Sequence, residues 1–215
     1  MSRRISGVSG PHAEATLVTT GAPVAAAEVA VVPVHGRGGT AEGIVRLADE
    51  FYRSGATLLA PGAVRSTWFP AAHEAPVSAN EPAPTSAADC VASAVDVARD
   101  AGVPRERVVL VGVSQGGAVV ASAALPGEGL DSCEAETVEG VERDGDGPLA
   151  GTLIALVSSE DDPYVPPDRV RATARGFERA GAAVECRIDP GDGHGLSDAT
   201  MGQIGERIEG LLGDG

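Results

Sequence analysis

Residues 112–117 read G-V-S-Q-G-G, directly after the apolar run Val108–Val111 and before A-V-V-A at 118–121. A β-branched run that meets a glycine, a serine and two more glycines, and then turns helical, is a strand running through a tight turn into a helix. Ser114 stands at the apex. The turn forces its backbone into a strained conformation, and the glycines let strand and helix approach closely. The hydroxyl is left at the end of a sheet, where a base can reach it. This is the nucleophile-elbow pattern G-x-S-x-G, and it says which further residues to look for.

The rest of the chain supplies a sheet for that turn. Val29–Val34 is an apolar run broken by H-G-R-G-G at 35–39. Thr40 caps a helix that places Ile44, Leu47, Ala48 and Phe51 on one face. Ala56–Ala60 reads as a short strand and Ala15–Thr20 as an N-terminal one. Thr85 or Ser86 caps a helix that faces Cys90, Val91, Ala94, Val95 and Ala98 inward and ends near Gly102. Later come a strand at Thr152–Val157, a helix at Pro167–Gly181 with Val170, Ala174 and Phe177 on its core face, a strand at Ala183–Ile188, and a last helix from about Asp198 to Leu212. Strands that alternate with helices imply an α/β fold, with a mostly parallel central sheet and helices on both faces. Ligands then bind beyond the carboxyl ends of the strands, the edge to which Ser114, His35, Asp162 and the loop around His194 are expected to converge. Residues 1–12 read as a flexible tail and 13–215 as one domain, which 215 residues can fill. The stretch 61–86 carries five prolines and no periodicity, and reads as a long loop.

A serine hydroxyl needs a base, and the base needs a carboxylate that fixes its tautomer. His194, in P-G-D-G-H-G-L at 190–196, is the one histidine after Ser114. The acid lies in S-S-E-D-D-P-Y-V-P at 158–166. Glu160, Asp161 and Asp162 compete there; Asp162 is favoured because it opens a rigid proline turn past the strand, and Asp161 comes next. The glycines around Arg37 let backbone N–H groups point at an oxyanion. The expected donors are the amides of Arg37 and Gln115. His35 and Trp68 are expected to line the substrate pocket, with a hydrophobic anchor for the loop as the alternative for Trp68.

These segments together resemble the phospholipase/carboxylesterase group of the α/β-hydrolase superfamily, which includes acyl-protein-thioesterase-like and dienelactone-hydrolase-like members. The matching motifs are H-G-R-G at 35–38, T-W-F-P at 67–70, G-V-S-Q-G-G at 112–117, D-P-Y-V-P at 162–166 and G-H-G at 193–195, in the group's order. The resemblance implies an α/β-hydrolase fold, a three-layer sandwich. It also implies a serine hydrolase without metal or cofactor, acting on small carboxylic esters or thioesters. Ser114 would be its nucleophile, Asp162 its acid, His194 its base, and Arg37 and Gln115 its oxyanion hole. Serine as nucleophile argues against dienelactone hydrolase proper, which uses cysteine. Thioesterase or acyltransferase chemistry on the same triad, or a non-catalytic small-molecule binder on the same fold, are the alternatives. The interval 125–148 departs from the pattern. It is acidic and glycine-rich, with only Leu130, Val138 and Val141 as scattered apolar residues, so the sheet is expected to be incomplete there.

Composition narrows the setting. The formal charge is −15, with 31 acidic residues against 16 basic ones, all of them arginine. Nucleic acid is therefore not an expected partner. The charge fits a salt-rich cytosol, where screening weakens self-repulsion. A GC-rich genome is the competing explanation for the missing lysine. Cys90, Cys133 and Cys186 are widely spaced and read as reduced thiols, with no metal site. No apolar run has the length of a membrane span. A cytoplasmic monomer or homodimer that takes a small-molecule ester is the expectation.

Overall fold

The computed structural model of the chain describes residues 1–71, 77–124, 147, 149–191 and 193–213. In chain order the strands are β1 (Ser2–Arg4), β2 (Thr16–Gly21), β3 (Val29–Val34), β4 (Ala56–Gly62), β5 (Val108–Gly112), β6 (Leu153–Ser159) and β7 (Ala183–Asp189). The helices are α1 (Ala41–Ala48), α2 (Ala83–Asp100), α3 (Gln115–Ala124), α4 (Pro167–Arg179) and α5 (Asp198–Gly213). Two compact units divide them. The first comprises Met1–Ala71, Asn80–Ala123 and Leu196–Gly215; the second comprises Ala72–Ala79 and Ala124–Gly195.

The first unit is a five-stranded sheet in the order β1-β2-β4-β3-β5. β1 with β2 and β2 with β4 are antiparallel, while β3 lies parallel to both β4 and β5. All six residues of β3 are buried, as its continuous apolar run requires of a central parallel strand. Its side chains alternate between two cores. Ala30, Val32 and Val34 face one that holds Ala87, Cys90, Val91 and Ala94 of α2 and Val119 of α3. Val29 and Val31 face another that holds Ala48 of α1, Phe51 and Ile208 of α5. The unit is thus helix, sheet, helix. Burying a side chain such as Phe51 or Leu58, both nearly inaccessible, is worth about 1.5–3 kcal/mol.

α1 begins as its sequence directs: the Thr40 hydroxyl oxygen accepts from the Gly43 N–H at 3.0 Å. α2 does not. It starts at Ala83, ahead of the expected caps, with prolines at 82 and 84 setting its first turn. Ser86 is spent elsewhere: its buried hydroxyl accepts from the His12 N–H at 3.0 Å and donates to the Ser9 carbonyl.

The N-terminal segment is likewise not a loose tail. Ser2–Arg4 pairs with Thr16–Val18, the Met1 ammonium donates to the Thr19 carbonyl at 2.7 Å, and His12 is buried. A three-residue strand has no periodicity to read, and it forms only against Thr16–Val18 of β2.

In the second unit β6 and β7 run parallel, in register from Leu153–Ala183 to Ser159–Asp189. α4 covers them with Val170, Ala174 and Phe177 buried, the helix face expected from the sequence. The anomalous interval lies outside the described residues but for Gly147. No helix among the described residues is long and apolar enough to cross a membrane.

Candidate active site

Ser114 sits between β5 and α3 with φ at 54°, in the left-handed region that non-glycine residues rarely adopt. The turn is closed by Gly116 N–H to the Val113 carbonyl and Gly117 N–H to the Ser114 carbonyl, each at 2.9 Å. The small residues of the motif have a steric cause. A Cβ on Gly116 would lie 2.2 Å from the Val34 carbonyl oxygen, so only glycine lets α3 start against the end of β3. A Cβ on Gly36 would lie 3.2 Å from that of Ser114, so the 35–39 turn packs directly on the elbow.

The side chains of the elbow and of that turn converge on residues 67–71. Gln115 Oε1 accepts from the Trp68 N–H at 2.9 Å, and Gln115 Nε2 donates to the Phe69 carbonyl at 3.1 Å. Arg37 Nη2 donates to the same carbonyl at 2.8 Å and to the carbonyl of Ala71. The sequence named Arg37 and Gln115 for their amides; the use of their side chains was not foreseen, and no local pattern announces it.

Trp68 and His35, expected to line the substrate pocket, both lie inside the fold. Trp68 is fully buried and His35 is 2% exposed. The indole N–H of Trp68 donates to the His35 carbonyl at 2.8 Å, and the two rings stack with centroids 5.0 Å apart. His35 Nε2 accepts from the Ala63 N–H at 3.1 Å, which leaves its Nδ1–H to donate to the Gly36 carbonyl at 2.8 Å. His12 closes the cluster from the other side. Its Nδ1 accepts from the Val64 N–H at 3.3 Å, and its Nε2–H donates to the Trp68 carbonyl at 3.0 Å. Both rings are thereby held neutral, and burial pushes both histidines below their ordinary pKa.

In the second unit Asp162 follows β6 and His194 follows β7. Their side chains meet: His194 Nδ1 lies 2.9 Å from Oδ2 and 3.0 Å from Oδ1 of Asp162. Asp162 Oδ1 also accepts from the N–H groups of Tyr164 at 2.8 Å and Val165 at 2.9 Å, the turn its prolines set up. Its side chain is only 5% exposed. Burial works against the charge, but the bonds from His194, Tyr164 and Val165 outweigh it and hold the carboxyl below its usual range. Asp161 is exposed, and its backbone N–H donates to the Gly191 carbonyl at 2.9 Å. The Tyr164 ring packs on His194 with centroids 4.7 Å apart, a contact the sequence reading missed although the D-P-Y-V-P motif contains the residue.

Among the described residues no three His, Cys, Asp or Glu side chains cluster to hold a metal ion. Cys90 is buried, which pushes its thiol up to about 12.

A mixed sheet whose central strands run parallel, with helices on both faces and a serine at a left-handed strand–helix turn, defines an α/β-hydrolase fold. Solved structures bear this out. A phospholipase/carboxylesterase from Dyadobacter fermentans is 28% identical, with a TM-score of 0.73 over 90% of this chain and 95% of that one. A carboxylesterase of Bacillus cereus is 17% identical, with a TM-score of 0.63 over 92% and 93%. Esterase 2 of Thermogutta terrifontis, solved as phosphorylated by paraoxon, is 16% identical, with a TM-score of 0.58 over 99% and 91%. The chain resembles the phospholipase/carboxylesterase group of α/β-hydrolases in structure as it does in motif. No family model and no curated protein matches its sequence.

Proposed function

We propose that this protein is a serine hydrolase of carboxylic esters, with Ser114 as nucleophile, His194 as base and Asp162 as the acid that orients it. The observation that carries the reading is the elbow, a serine held at φ 54° between strand β5 and helix α3. The Asp162–His194 pair supports it, because a carboxylate on Nδ1 leaves Nε2 as the nitrogen that takes a proton. So does the likeness to the Dyadobacter phospholipase/carboxylesterase.

In the proposed reaction His194 Nε2 removes the Ser114 proton as Oγ attacks the acyl carbon. The tetrahedral oxyanion is held by the N–H groups of Arg37 and Gln115. His194 returns the proton to the departing alkoxide, and an acyl-enzyme is left. Water activated by His194 then releases the acid. A small-molecule ester is the substrate. The test is hydrolysis of p-nitrophenyl esters of graded acyl length in high salt. Turnover that Ser114→Ala and His194→Ala each abolish supports the reading, and no turnover of any ester by the intact protein overturns it.

A further inference from the structure

The Phe69 carbonyl oxygen is shared by two side-chain donors from segments far apart in sequence. Arg37 Nη2 reaches it at 2.8 Å and Gln115 Nε2 at 3.1 Å. Phe69 itself is 7% exposed, so its carbonyl is bonded where little water competes. Each donor side chain has a second hold on the same segment: Arg37 on the Ala71 carbonyl, and Gln115 Oε1 on the Trp68 N–H. These are the two residues whose own backbone amides are the proposed oxyanion donors.

The parallel ladder between β3 and β5 ends at the pair Val34–Gly112, followed by one bond from the Val113 N–H to the Val34 carbonyl at 3.1 Å. Beyond that point the sheet no longer sets the spacing between the 35–39 turn and the start of α3. An oxyanion hole built from one amide in each segment needs that spacing fixed, because donors work at about 2.7–3.1 Å from the developing charge.

We propose that the side chains of Gln115 and Arg37 are positioning groups that set the separation of their own two amides through the shared Phe69 carbonyl. The bridge runs from α3 through Gln115 to Phe69, and back through Arg37 to the turn. Its members act only through the amides they place, so their loss appears in transition-state binding and leaves ground-state ester binding unchanged. This inference rests on the serine-hydrolase reading above.

The experiment compares Arg37→Met, Gln115→Met, the double variant and Arg37→Lys with the intact protein. The readouts are kcat and KM on p-nitrophenyl butyrate, and inhibition by an aryl trifluoromethyl ketone, whose serine adduct carries the oxyanion. Each single loss is expected to lower kcat by about 10- to 100-fold, the scale of an ångström-level misplacement. KM should stay within about threefold, and ketone affinity should fall in step with kcat. Because both act on one carbonyl, the double variant should lose less than the product of the single losses. Arg37→Lys, which can still reach one carbonyl, should recover part of the activity. If Gln115→Met fails to fold, Gln115→Glu keeps the acceptor for Trp68 but not the donor to Phe69, and should show the same fall in kcat.

Single variants with unchanged kcat overturn the proposal, as do losses confined to KM with ketone affinity intact, or fully multiplicative losses. If the intact protein neither turns over esters nor binds the ketone, it is the serine-hydrolase reading that fails. If it does both and Ser114→Ala does neither, while the bridge variants match the intact protein, only the positioning role is lost.

Discussion

Asp162 holds His194 by both carboxylate oxygens, with Nδ1 at 2.9 Å from one and 3.0 Å from the other. An imidazole gripped this way has its tautomer and its ring orientation fixed together. Asp162→Asn keeps the size of the side chain but no longer demands a proton on Nδ1. It should lower kcat/KM by about 10³–10⁴-fold. Asp161→Asn should leave the rate within about twofold, since an exposed charge away from the pair contributes little. Steady-state kinetics on one p-nitrophenyl ester checks both, and equal losses in the two variants would mean that the acid is misassigned.

The acid side of the stability profile follows from three groups. Asp162 has its carboxyl held low in the folded state, so it stabilises the fold above its unfolded pKa, and that contribution is lost as pH falls through the folded value. His12 and His35 are also lower when folded, by burial. The unfolded chain takes up their protons first, near 6.5, so they too favour the fold at neutral pH and cease to favour it in acid. Glu42 and His12 are the titratable groups that act on His35, the first raising and the second lowering its pKa. Urea midpoints should therefore fall between pH 7.5 and pH 5. A His12→Gln, His35→Gln double variant should show a flatter profile over that interval than the intact protein.

Trp68 is the sole tryptophan and has no exposed surface. Trp68→Ala should cost about 3–5 kcal/mol through the cavity it leaves. Trp68→Phe retains most of the ring but strands the buried His35 carbonyl, at a cost of about 1–3 kcal/mol. Chemical denaturation of the variants measures both. In the intact protein the fluorescence of this one indole should be blue-shifted when folded, and should move to the red in the same transition that far-ultraviolet circular dichroism reports.

The strand–turn–helix around Ser114 and the turns that carry Asp162 and His194 were legible in the sequence because each is a local pattern. Glycine spacing, a β-branched run and a proline-bounded turn act within a few residues. The faces of α1 and α4 were legible for the same reason, since apolar spacing records which side is buried. What was missed depends on distant partners. β1 exists only because β2 pairs with it, and Ser86 serves Ser9 and His12 and caps no helix. Trp68 looked available among prolines because nothing near it in sequence shows that His12 and His35 enclose its ring. The side-chain bridge of Arg37 and Gln115 belongs to the same class.

The surface charge gives a further test. A formal charge of −15 without lysine repels itself in the compact state. At about 1 M salt the screening length is near 3 Å, so that repulsion is largely removed. The melting temperature should rise from low to molar KCl. A flat response would favour codon bias as the source of the all-arginine composition.

Ser114 is proposed to be a nucleophile activated by His194. The most direct test is intact-protein and peptide mass spectrometry after treatment with a fluorophosphonate in high salt. The expected result is one adduct, on the peptide that contains Ser114, with labelling abolished in Ser114→Ala and slowed by orders of magnitude in His194→Ala. No adduct on a folded protein, or an adduct that persists in Ser114→Ala, would contradict it.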